Sequence, residues 1–553
     1  MARRSVRSTL GLVAGLVFFA GTGRAEPLSA IPWLSDALRA PLATLQSAPA
    51  PHRGLEVIAL GPPRPAGPGL LDPDIAGLPE DLWGQSSALR LRALLRRVKG
   101  SGLPETRMLF RRLLVTRLTV PRGSADASGL MMARTERLMA MGALEEAYEI
   151  LVASGLHDAE AVRRAFDIGL LTGQDLQACA TLLGHPGIEP TEAAKIFCHA
   201  RGNEWRRAVL TLAVARESGV IERRLGDLLA RYLEIEETAP GDSIDMPRPV
   251  TPLVYRMLMA IGAGGAGTVE AGLPLAFAHL DLGSTAPPRA RMLAAERLVA
   301  AAGLAYPILF DAYRATRPAA SGGIWSRSAA IQALDRALDR TGGTVFPKTT
   351  SQAFSDAPPD APPDAPPVAL PDPRPDALPD ALPDALPNAL VAAAVALRPH
   401  GLQVALAREY APRLAALPQP MFRNAAMARL LLLGDRAAAA RAWLPARHKD
   451  SAAWATYALL QGQAAPNAGG RLGSAVVAAF RRMPSESPLP APYAALLRAD
   501  RAGEAILKAL ASLDRGVDID PDDFTAALLV LRHLGLETCA RRIAAQTLLA
   551  AAG

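Results

Sequence analysis

One pattern recurs along the chain and leaves few folds open to it. An apolar helical stretch is followed by a glycine, then by a second helical stretch with alanine near its start. RLMAMGALEEAYEILVASG (137–155), FDIGLLTGQDLQACATLLG (166–184) and IFCHARGNEWRRAVLTLAVARESG (196–219) carry it, with turn glycines at Gly142, Gly173 and Gly202. RLVAAAGLAYPILFDAYRA (297–315), MARLLLLGDRAAAARAWL (427–444) and VLRHLGLETCARRIAAQTLL (530–549) repeat it. Glycine supplies the left-handed residue that ends a helix, and a small alanine lets the next helix pack closely. Helix pairs returning at intervals of about 30 to 45 residues predict an α-solenoid of tetratricopeptide-like helical hairpin repeats. Composition agrees with an all-α fold. The 553 residues include only 12 Phe, 6 Trp and 8 Tyr, while hydrophobic residues make up 50%, led by the helix formers Ala and Leu.

A second pattern divides the chain. DAPP occurs three times from Asp356 and DALP three times from Asp376. Proline at every fourth position removes helix hydrogen bonds and clashes with the preceding turn. It also pushes the residue before it toward extended backbone. The block predicts a disordered, solvated polyproline spacer, ending where Asn388 would cap a new helix. The expected organisation is therefore a signal peptide at 1–25, a Pro-rich irregular segment at 26–81, a helical array at 82–341, a Pro/Ala/Asp-rich linker at 342–387 and a second array at 388–553.

The start of the chain has the three parts of an export signal. MARRSVR is basic, STLGLVAGLVFFAG is apolar, and GRA at 23–25 puts small residues at a cleavage site. The apolar run is shorter than the roughly 20 residues of a membrane-spanning helix, so no transmembrane segment is expected in the mature chain. A periplasmic location follows, or secretion. Removing Arg3, Arg4, Arg7 and Arg24 from the 60 Lys and Arg leaves 56 bases against 53 acids. A balance that close to neutral gives no reason to expect nucleic-acid binding.

Export makes the three cysteines informative. Cys179 and Cys198 are spaced so that adjacent antiparallel helices could join them as a disulfide, which an oxidising compartment permits. Burial as small hydrophobes is the alternative. The strongest local charge bias lies between Arg90 and Arg122, where Glu105 is the single acid among ten bases. Leu91, Leu94, Leu95 and Val98, then Phe110, Leu113 and Leu114, form the buried stripes of two helices there. Arg90, Arg97, Arg107, Arg111 and Arg112 are the candidate interaction surface, for an acidic partner or peripheral membrane contact. The alternative is that they are the wet faces of ordinary helices.

Other motifs fail their structural context. Gly262, Gly264 and Gly267 match a dinucleotide fingerprint, with Asp281 near the expected ribose-binding distance, but a helix precedes them in place of the required strand. DIDPDDF (518–524) lacks the ligands of a calcium loop and reads as a helix start, with Asp520 as cap and Pro521 first. The histidines form no zinc-ligand spacing. Glu217-Ser218 matches only a dipeptide of the lytic transglycosylases. No catalytic, cofactor or metal residues are assigned. Trp33, Trp83 and Trp205 are candidate anchors or core.

EPLSAIPWLSDAL (26–38), GLPEDLWGQS (77–86) and IFCHARGNEWRRAVLTL (196–212), with the Ala-rich helices, resemble a group of exported helical-repeat proteins of alphaproteobacteria. Some of these are labelled antifreeze glycopeptide-related. The Ala-Ala-Thr repeats of true antifreeze glycopeptides are missing from the sequence, so that activity is not carried over, and the resemblance implies no catalytic residues. The expected function is a non-catalytic scaffold or adaptor binding cell-envelope proteins, with a peptidoglycan hydrolase or its accessory as the alternative.

Overall fold

The computed structural model describes residues 67–552, except 123–126, 157, 186–187, 236–246, 264–266, 270, 284, 320–321, 341–381, 418–423, 465, 467 and 485–487. The export signal, Trp33 and nearly all of the proline block lie outside the described residues. Residues 64–553 form one compact unit. Among the described residues there is no β-strand, only a bridge pairing Leu71 with Thr116.

After a single helical turn at Pro73–Ala76 come α1 (Ala88–Arg97), α2 (Pro104–Val115), α3 (Ala127–Ala140), α4 (Leu144–Ala153), α5 (Ala159–Leu171), α6 (Asp175–Gly184), α7 (Glu192–Arg201), α8 (Trp205–Glu217), α9 (Arg223–Tyr232) and α10 (Pro252–Ala260). From α3 to α10, each helix packs on the next in chain order. After a 3₁₀ segment at Leu275–Leu282 come α11 (Pro288–Ala300), α12 (Tyr306–Ala315) and α13 (Gly323–Arg340). Beyond the proline block lie α14 (Leu382–Leu397), α15 (Gln403–Ala415), α16 (Ala425–Leu433), α17 (Ala437–Trp443), α18 (Ser451–Leu460), α19 (Gly470–Phe480), α20 (Ala491–Arg498), α21 (Ala502–Leu513), α22 (Pro521–His533) and α23 (Glu537–Ala551).

The recurring turn has one geometry. Three residues join α3 to α4, α5 to α6, α7 to α8, α16 to α17, α20 to α21 and α22 to α23. The middle residue is left-handed in each: Gly142, Gly173, Asn203, Asp435, Asp500 and Gly535. The third residue's N–H returns to the carbonyl five residues back, as in Ala143 to Leu138 (2.9 Å), Glu204 to His199 (2.8 Å) and Arg501 to Leu496 (3.0 Å). These are Schellman caps. Three glycines of the pattern serve differently from expectation; at one of them, Gly303, the left-handed residue is Ala302 before it. Gly202 and Gly434 have negative φ and stand at the helix ends, while Asn203 and Asp435 take the left-handed position. Asn and Asp tolerate that region better than other side chains. Gly434 is small for another reason: a Cβ there would overlap Ala411 on α15.

The proline block ends earlier than expected. α14 begins at Leu382 and carries Pro387 within it, so Asn388 is not its cap. The first turn of a helix needs no intrahelical N–H, which accommodates Pro383. Leu386, Leu390, Ala393 and Leu397 are all buried, and that i, i+4 stripe outweighs the one bond lost at Pro387.

The segments before and after the block share their cores. One cluster joins residues from Ala76 to Leu280 with residues from Ala455 to Leu548. A second joins Met292–Leu338 to Leu386–Ala453. α23 is buried on nearly every side from Cys539 to Leu549, as a central helix must be, and it packs against α2, α18, α19 and α22. Backbone bonds cross the same boundary, Gln85 N to Asp500 O (2.8 Å) and Gly503 N to Leu82 O (2.8 Å). A Cβ at Gly503 would overlap the Trp83 ring. The Asp514 carboxylate accepts from the amides of Lys99 (2.6 Å), Gly100 (3.3 Å) and Gly102 (3.2 Å). The two expected arrays therefore meet in one body.

Candidate functional site

The arginine-rich region folds as the two expected helices, with Leu91, Leu95, Phe110, Leu113 and Leu114 fully buried. Its five candidate arginines do not form one surface. Arg90 and Arg97 are exposed on α1. Arg111 pairs with Glu146 on α4, and Arg112 Nη1 donates to Cys539 Sγ on α23 at 3.4 Å. Arg107 is held back among the helices as well; burial lowers its pKa and that of Arg111.

Arg90 and Arg97 instead line a groove of about 530 Å³ with α20 and α21. Leu94, Leu496 and Ala511 give it apolar lining, and Arg501, Lys508 and Arg515 add three more cations. Glu504, also on its wall, is buried and gripped by Arg501 through two bonds of 2.7 and 2.8 Å. Arg515 lies 3.2 Å from Asp523. Sequence reasoning missed this half of the site. The signal was there: Arg501, Lys508 and Arg515 are seven apart, as are Arg90 and Arg97, and seven residues return to the same helix face after two turns.

A second, larger groove of about 710 Å³ crosses α6, α7 and α8. Cys179 of α6 and Cys198 of α7 line it, joined as a disulfide with Cα atoms 5.3 Å apart. Leu176 and Leu183, 62% and 44% exposed, form its apolar side. Its polar side holds Lys195, between Glu189 (2.5 Å) and Glu192 (2.9 Å), and His199, 2.8 Å from Glu204. Hydrogen bonds from Lys195 and Arg207 lower the pKa values of Glu189 and Glu204. Trp205 is 43% exposed in an adjoining recess with Arg206 and Arg207. Trp83, in contrast, is core.

The buried acids have internal partners. Glu105 on α2 is fully buried, which raises its pKa; Arg408 Nη2 lies 3.2 Å from Oε2, while Oε1 has no partner. A buried acid with raised pKa is a catalytic signature, yet the adjacent cavity is about 10 Å³, the size of one water. No saccharide fits there. Asp281, the ribose-binding candidate, accepts from Thr268 N (2.7 Å) and Thr268 Oγ1 (2.6 Å), so its carboxylate is taken by a residue of its own chain. Glu217 and Ser218 end α8 in the open. Asp520 caps α22 through the amides of Asp522 and Asp523, with Pro521 first in the helix. Among the described residues no cluster of His, Cys, Asp and Glu could hold a metal, and no helix is long and apolar enough to cross a membrane.

No protein family, curated protein or solved structure matches the chain.

Proposed function

We propose that this chain is an exported, non-catalytic scaffold or adaptor of the α-solenoid type, which binds other cell-envelope proteins in the periplasm. The carrying observation is the open groove across α6–α8. Beside its exposed leucines stand Trp205 and Arg207, and Trp and Arg are the residue types that anchor protein interfaces. Exposed apolar area of this kind marks a contact surface. The repeated hairpins support the reading, because successive helix pairs present such grooves side by side. The disulfide on the groove floor suits an oxidising compartment.

The test is site-specific photocrosslinking in the envelope of producing cells, with the probe at Leu183. One discrete protein adduct is expected, and Leu176→Glu should remove it. No adduct from Leu183, or murein cleavage by the purified chain, would overturn the scaffold reading.

A further inference from the structure

The groove between α1, α20 and α21 has no assigned partner, and its composition is more specific than that of the α6–α8 groove. Five cations line it: Arg90, Arg97, Arg501, Lys508 and Arg515. Against them stand Glu504 on its wall and Asp523 beyond it, so the excess is three positive charges. Arg501 neutralises Glu504 on the buried side, and Arg90 approaches that carboxylate only to 3.6 Å. Arg97 and Lys508 have no ion pair among the described residues. The walls are fixed in advance by the backbone bonds Gln85 to Asp500 and Gly503 to Leu82 and by the Asp514 clasp on residues 99–102. A preformed site loses little entropy on binding.

We infer that this groove docks an acidic, extended segment of a partner protein, with apolar side chains seated on Leu94, Leu496 and Ala511 and carboxylates on its cationic rims. Two features select this occupant. The lining is apolar between the charged edges, so it fits a chain whose side chains alternate in character, which a sugar-phosphate backbone does not provide. The site is also concave, whereas a bilayer surface is met by a flat or convex face. The dimensions agree. Arg90 and Arg97, seven apart on α1, are separated by about 10 Å, and an extended peptide covers that distance in roughly three residues. The proposal concerns a surface separate from the α6–α8 groove and does not depend on it.

Fluorescence anisotropy of the full chain with a short labelled peptide alternating glutamate and leucine tests it. Saturable binding is expected, weakened by added salt and absent for the same peptide with glutamine in place of glutamate. Arg97→Glu with Lys508→Glu should weaken binding roughly tenfold or more while the protein still melts in one cooperative step. The pair Arg97→Gln and Lys508→Gln should give a smaller loss in the same direction and serves if the reversal misfolds. Equal binding of the two peptides, or unchanged affinity in both variants, would overturn the inference. So would tighter binding of a single-stranded oligonucleotide or of phosphatidylglycerol vesicles that the double variant abolishes. The adaptor reading of the α6–α8 groove survives any of these, because Leu176→Glu tests it separately.

Discussion

Asp514→Ala interrogates the claim that the helices on either side of the proline block fold as one body. Asp514 follows α21, yet its carboxylate receives three amides from the loop between α1 and α2, and its own carbonyl accepts from Ser101 Oγ at 3.1 Å. The Lys99 bond is short, at 2.6 Å, and made to a carboxylate; such bonds contribute about 1.5 kcal/mol or more. Those from Gly100 and Gly102 are longer, at 3.3 and 3.2 Å, and water can replace them in part. About 0.5 kcal/mol each is reasonable. The sum is about 2.5 kcal/mol, or nearly two powers of ten in the folding equilibrium. Equilibrium unfolding in urea, followed by helical circular dichroism, measures it. A single transition shifted to lower denaturant is expected, with faster amide exchange at Lys99, Gly100 and Gly102. Two separate transitions, or a loss below about 0.5 kcal/mol, would refute the shared core.

Two further perturbations probe other parts of the molecule. Cys179→Ala with Cys198→Ala opens the closed loop between α6 and α7, and chain entropy puts the loss at about 3 kcal/mol; an unchanged melt on reduction of the wild type would contradict the bond. Asp167 on α5 has its pKa raised to about 6, mainly by burial, with Arg164 opposing. An acid whose folded pKa exceeds its unfolded value stabilises most below the unfolded pKa and loses that contribution as pH rises through the folded one. Asp167→Asn should therefore raise stability at pH 8, by about 1–2 kcal/mol, and leave it unchanged at pH 3. Equal effects at the two pH values in paired melts would count against the burial argument.

Much of the local structure was legible in the sequence. Leu91, Leu94, Leu95 and Val98 predict the buried face of α1, and Asp520-Pro521 predict the start of α22, because both depend on neighbours within a turn or two. The helix–glycine–helix pattern predicts the hairpins, and misplaces the left-handed residue at Gly202, Gly303 and Gly434, where Asn203, Ala302 and Asp435 take it. Long-range pairing was not legible. Ala- and Leu-rich stripes are alike from helix to helix, so nothing local says that α1 meets α21 or that α2 meets α23. For the same reason the five arginines read as one surface, although α2 turns Arg111 toward α4 and Arg112 toward α23 and the fold supplies Arg501, Lys508 and Arg515 beside Arg90 and Arg97.

That likeness among stripes raises the question of what fixes the pairing. Alanine faces are smooth, and sliding one across another by a turn exchanges similar contacts. The buried carboxylates are not interchangeable in this way. Glu105 meets Arg408, Asp175 meets Arg256 at 2.6 Å, Glu296 meets Arg327 and the hydroxyl of Tyr313, and Asp450 meets Arg429 at 2.8 Å. Each joins two different helices, and each acid is nearly inaccessible to water. A slipped register would leave a carboxylate buried without its guanidinium, at about 3–5 kcal/mol per broken pair, whereas the alanines beside it would lose almost nothing. A well-formed buried pair adds little net stability over an apolar pair of the same size. Its effect lies in the gap between the native alignment and its neighbours, and in a chain this rich in alanine that gap is set by a few acids and the arginines that reach them.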